Sequence, residues 1–96
     1  MKFDLLDKYL LSGSPAKADV VRQLLADPPE APGAAAFYEG IRLLGPRTPE
    51  LSLIALRLVL AGRKADDESV IRLRDIVERA RRGDAAARES YLEEVG

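Results

Sequence analysis

The stretch from Leu51 to Ala61 constrains the fold more than any other part of this chain. It reads LSLIALRLVLA, in which Ser52 and Arg57 are the only polar residues. The stretch is too short to cross a bilayer, which takes about twenty residues. A helix that is apolar on nearly all sides is normally surrounded by other helices. We therefore expect a central helix over about 49–61; the alternative is an apolar side that docks a partner or a second copy.

The positions of glycine and proline divide the rest of the chain into helices. Glycines follow four apolar-periodic runs, where helices commonly end, and two prolines follow a Ser or Thr that can cap a helix. β-branched residues nowhere alternate over a strand-length run, so we expect no sheet. The sequence predicts an all-α, compact bundle of five or six short helices in a single domain over 1–96. The predicted ranges are 3–11, 15–26, 34–44, 49–61, 67–82 and 85–94.

The composition removes several kinds of chemistry. The chain has no cysteine and no histidine, so it lacks thiolate ligands, disulfides and the commonest general base. We predict no catalytic, cofactor-binding or metal-binding site and infer no small-molecule substrate. Asp4 and Asp7 interrupt the apolar part of the N-terminal stretch, which is therefore not a secretion signal. We expect a cytoplasmic, soluble protein that does not enter a membrane.

The densest acidic cluster, Asp66-Asp67-Glu68, has a structural explanation. A calcium loop would need oxygen ligands spread over about a dozen positions around a glycine, and that pattern is missing. Acidic residues at the start of a helix complement its dipole and can cap free N–H groups. We expect this cluster to cap the helix predicted at 67–82.

The helix predicted at 67–82 is rich in arginine but also carries acids. Glu68 and Arg72, Asp75 and Arg79, and Glu78 and Arg82 are spaced i,i+4 with the acid first, and we expect them to form ion pairs. Such pairing would neutralise the surface that phosphates need. Nucleic-acid binding is therefore the alternative function and not the preferred one. It would use the arginines of this helix, which are Arg72, Arg74, Arg79, Arg81 and Arg82.

A few residues fall on the wrong side of their predicted helices. Ile71 projects among charged residues, Arg88 projects among apolar ones near Tyr91, and Leu43 lies outside its apolar arc. A single exposed hydrophobe is ordinary, and Arg88 can lie along apolar surface while pairing with Asp84. The functional interpretation is a contact surface, where Arg and Tyr are favoured anchors. On this hypothesis Ile71→Glu or Tyr91→Ala weakens association while helicity survives.

Two functional classes follow from these observations. The preferred one is a non-enzymatic interaction module, meaning a small cytoplasmic adaptor, an accessory subunit or a self-associating helical protein. Ile71, Arg88, Tyr91 and Leu43 are its predicted partner-binding residues. The alternative is a small regulatory nucleic-acid-binding protein. An enzyme that uses Lys, Asp, Glu or Tyr side chains ranks third.

The charge balance generates a direct test of the nucleic-acid alternative. Fifteen basic and sixteen acidic side chains leave a formal net charge of −1, so we expect negligible retention on heparin at moderate salt. Column elution across a salt gradient measures this. Strong retention that weakens as the salt concentration rises would instead favour nucleic-acid binding.

Overall fold

The computed structural model of the chain describes residues 4–13, 19, 22, 35 and 49–96. The described part contains four helices and no strand, which confirms the all-α prediction there. Each helix begins and ends within one residue of its predicted range. The helices are α1 (Asp4–Ser12), α2 (Pro49–Leu60), α3 (Asp67–Arg81) and α4 (Ala85–Val95).

The prediction of five or six helices depends on two further ranges, 15–26 and 34–44, that lie almost entirely outside the described residues. Asp19, Arg22 and Ala35 are described singly within them, and each is helical. Asp19 and Arg22 form an exposed ion pair, with 3.1 Å between Oδ1 and Nη1. The predicted site residue Leu43 also lies outside the described residues.

The ends of the helices follow the signals in the sequence. Gly13, Gly62 and Gly83 each come shortly after a helix and have φ between 74° and 95°, a conformation that side-chain-bearing residues rarely adopt. Asp66 caps α3 by accepting a hydrogen bond from the Ser69 backbone N–H at 2.8 Å. That hydrogen bond lowers the pKa of Asp66. Asp66 therefore has the capping role predicted for the acidic cluster, and Asp67 and Glu68 lie in the first turn of α3.

Helix α2 is buried around its whole circumference. Every residue from Ser52 to Leu58 is buried, with at most 8% of its surface exposed. Seven consecutive residues make nearly two turns and so point in every direction around the axis. Among the described elements, α1 and α3 pack against this helix.

The other described helices contribute one apolar stripe each to the core. Helix α3 contacts α1, α2 and α4, and α1 also contacts α2. The Cα radius of gyration is 12.2 Å, close to the value of about 13 Å typical of a 100-residue globular domain. The buried apolar residues outside α2 are Leu6, Tyr9, Leu10, Val70, Leu73, Ile76, Val77, Ala80, Ala87, Tyr91 and Val95.

Helix length also bears on the membrane question raised by the apolar stretch. Among the described helices, none combines the length and the apolar character needed to cross a membrane. Helix α2 is the apolar one, and it has 12 residues.

The burial of α2 predicts a large effect of truncating one of its side chains. Leu56 is 0% exposed, so we expect Leu56→Ala to lower the free energy of unfolding by about 2–5 kcal/mol. Urea unfolding followed by circular dichroism measures this change. The control is Ile71→Ala at an exposed position, and equal losses for the two variants would contradict a central position for α2.

Candidate functional site

Ile71 lies on the outer face of α3. Its side chain is 50% exposed and projects away from the buried stripe that contains Leu73 and Val77. The charged residues around it, including Glu68 and Glu78, are also exposed. An isoleucine surrounded by charges on the outside of a helix contributes little to this chain's own core. The structure therefore leaves it accessible for contact with another molecule.

Arg88 is exposed on α4, and a second exposed hydrophobe accompanies it. Leu92, one turn further along the helix, is 55% exposed. Asp84 accepts hydrogen bonds from the backbone N–H groups of Ala86 and Ala87, at 3.0 and 3.2 Å, and so caps α4. Leu92 was not predicted as a site residue, although its i,i+4 spacing from Arg88 is visible in the sequence.

Tyr91 is not on the surface, and its predicted role as an exposed anchor is wrong. The side chain is 0% exposed, and its hydroxyl donates a hydrogen bond to Asp7 of α1. Burial and this hydrogen bond raise the pKa of Tyr91 well above its ordinary value. Replacing Tyr91 with alanine would therefore damage the core before it affected any contact with a partner. Of the four predicted site residues, Ile71 and Arg88 are the two that the structure places on the surface.

A buried polar network joins α1, α2 and α4. The Arg57 guanidinium donates from Nε to Asp7 Oδ1 at 2.6 Å and from Nη2 to Oδ2 at 3.2 Å. Only 10% of the Arg57 side chain and 20% of the Asp7 side chain are exposed. Burial disfavours the charge on Arg57, but the hydrogen bonds and negative charge of Asp7 outweigh it and raise the pKa of Arg57. Arg57, one of the two polar residues in the apolar stretch, therefore faces inward, onto an acid of α1.

A second polar junction holds the end of α1. Arg81 of α3 donates from Nε to the Leu10 carbonyl at 2.8 Å and from Nη2 to the Tyr9 carbonyl at 3.3 Å. Its Nη1 lies 2.7 Å from Glu50 Oε1 of α2, and its guanidinium carbon lies 5.7 Å from the centre of the Tyr9 ring. One arginine thus connects three helices and binds carbonyl groups in the last turn of α1, where the Tyr9 carbonyl also accepts from the Gly13 backbone N–H at 2.6 Å.

The ion pairs predicted within α3 are not formed. Arg72 instead contacts Glu94 of α4, with 2.5 Å between Nη2 and Oε1. Arg79 and Arg82 have no acidic group of another described residue within ion-pairing distance. The physical reason is that exposed pairs on one helix gain little in water, whereas Glu94 comes within reach through the packing of α3 against α4.

A polar pocket of about 350 Å³ lies between the loop that follows α2 and the C-terminal part of α4. Two ion pairs, Lys64–Asp66 and Arg72–Glu94, are formed between residues of its own wall. A wall that carries both signs of charge selects neither anions nor cations, so the pocket assigns no ligand. Its lining residues are Leu58, Arg63, Lys64, Asp66, Glu68, Ser69, Arg72, Glu93 and Glu94.

The buried polar side chains of the described residues form contacts within the chain. Within the described residues there is no group of three or more acidic side chains placed to hold a metal ion. Every buried side-chain nitrogen or oxygen in this part of the chain has a hydrogen-bond partner. No protein-family model, curated protein or solved structure matches the chain.

The buried ion pair generates a prediction about stability. In a Tyr91→Phe background, which removes the hydroxyl that also uses Asp7, we expect Asp7→Leu to destabilise the fold by about 3–5 kcal/mol. The reason is that the buried Arg57 charge loses its two hydrogen bonds to the Asp7 carboxylate. Adding Arg57→Met should recover most of the loss, as measured by urea unfolding. If this added change brings no recovery, the loss of the Arg57–Asp7 pair is not the cause.

Proposed function

We propose that this chain is a non-enzymatic protein-interaction module, either a small cytoplasmic adaptor or an accessory subunit. We propose further that it is a single-domain bundle of five or six helices with α2 at its centre. The observation that carries the functional proposal is the accessibility of Ile71, which is half exposed on an otherwise charged helix face. Apolar side chains inside a polar rim are typical of protein-binding surfaces.

The roles of the buried polar residues support this proposal. Asp7, Arg57 and Tyr91 bind one another inside the core, and Arg81 holds the end of α1. A catalytic acid, base or nucleophile has to reach a substrate in a cleft. These residues are instead engaged in holding helices together. What remains accessible on α3 and α4 is a set of exposed charges with Ile71, Arg88 and Leu92.

The nucleic-acid alternative receives less support. Two of the five arginines that it would use, Arg72 and Arg81, are engaged by Glu94 and Glu50. The other three are exposed, but the exposed acids Asp75 and Glu78 lie among them. A phosphate backbone favours a continuous basic surface, and the outer face of α3 alternates in sign.

The exposure of Ile71 predicts how recovery of a partner responds to substitution. We expect Ile71→Glu to reduce recovery of a specific partner at least about tenfold, because a carboxylate in an apolar contact must be desolvated. The measurement is affinity purification of the tagged chain from its native host, quantified by mass spectrometry. Ile71→Leu keeps the apolar surface and serves as the control. If no partner distinguishes Ile71→Glu from Ile71→Leu, the proposed interaction surface is wrong.

A further inference from the structure

We propose that the outer face of α3 is an interface between two copies of this chain, which pair antiparallel about a two-fold axis near Arg74 and Asp75. This proposal rests on the function proposed above and names the partner as a second copy. It starts from the charges on that face, which are exposed and have no ion pair with another described residue. They are Glu68, Arg74, Asp75, Glu78, Arg79 and Arg82.

The exposed charges along α3 are arranged so that they complement those of a second α3 that lies antiparallel to the first. The first exposed turn carries Glu68, the middle carries Arg74 beside Asp75, and the last turn carries Glu78 and Arg79, with Arg82 at the C-cap. When a second α3 lies antiparallel, the acidic start of each helix meets the basic end of the other. At the centre, Arg74 and Asp75 of both copies meet around the two-fold axis, so the long Arg74 side chains have to bridge to Asp75 of the other copy. A parallel arrangement would place like charges together and is disfavoured.

Ile71 fits the same antiparallel arrangement. In an antiparallel pairing centred between Arg74 and Asp75, Ile71 lies opposite Glu78 of the second copy. The carbon stem of Glu78 can cover the isoleucine while its carboxylate stays in water. A two-fold axis makes each contact twice, so both isoleucines are covered and each of these charge contacts is duplicated.

The size of the face sets the strength of the dimer. A helix of 15 residues is about 22 Å long, and one such helix against its copy buries less than the roughly 1,600 Å² of a standard interface. We therefore expect a weak dimer that dissociates on dilution and weakens as the salt concentration rises, because charge contacts contribute much of its specificity.

The symmetry of the interface allows a charge-swap test by sedimentation equilibrium over a range of protein concentrations. In this register Glu68 lies level with position 81 of the second copy, next to Arg82. Glu68→Arg therefore brings a base close to Arg82 of the second copy, and Arg82→Glu brings an acid close to Glu68. We expect each variant alone to weaken self-association at least about tenfold, which corresponds to roughly 1.4 kcal/mol. An equal mixture of the two variants should regain association, because every altered contact then joins opposite charges.

Matched controls separate this arrangement from a general effect of charge. Glu89→Arg and Arg63→Glu make the same changes in net charge at exposed positions outside α3. We expect these two variants to associate like the wild type, and mixing them should add nothing. Circular dichroism checks that all four variants keep the wild-type helicity.

The outcomes distinguish this proposal from the function proposed above. A wild type that stays monomeric up to about millimolar concentration, where even weak dimers form, overturns the two-fold interface. A mixture of Glu68→Arg and Arg82→Glu that fails to associate better than either variant alone also overturns it. In both cases the proposed interaction function would still be supported if a different protein is recovered and its binding depends on Ile71.

Discussion

The ion pair between Arg57 and Asp7 is the interaction on which the described architecture depends. Helix α2 carries a permanent charge into the centre of the fold, where an unpaired charge is costly. Only a neighbouring acid in the right place makes that position tolerable, and α1 supplies it. Tyr91 of α4 donates to the same carboxylate, so one acid fixes the relative positions of three helices. The apolar contacts around α2 provide the attraction, while this polar centre restricts how the helices can be arranged.

The local features of the fold could be predicted from the sequence because they depend on near neighbours. Helix ends follow from Gly13, Gly62, Gly83 and the cap at Asp66, and the burial of α2 follows from its composition. The polar connections could not be predicted in the same way. Helical spacing identifies only partners within one turn, whereas Arg72 binds Glu94 and Arg81 binds Glu50 across the packed structure.

The candidate surface was only partly predictable for a related reason. A helical projection shows which side chains share a face, but it does not show where the core begins when apolar and charged residues are mixed. Arg88, Tyr91 and Leu92 share one broad side of α4, yet the fold buries only Tyr91. Ile71 was placed correctly because charges surround it on every side. On α3 the outer charges remain available for another molecule, while Arg72 and Arg81 at its two flanks hold the neighbouring helices.

The contacts made by Arg81 have a consequence for the order of events during synthesis. The side chain binds carbonyl groups of α1 that precede it by 71 and 72 residues, and Tyr91 follows Asp7 by 84 residues. A nine-residue helix is marginal by itself in water. A ribosome therefore releases α1 well before the residues that secure it have been added. Of the described helices, α1 is made first. It completes its native contacts only after α3 and α4 have emerged.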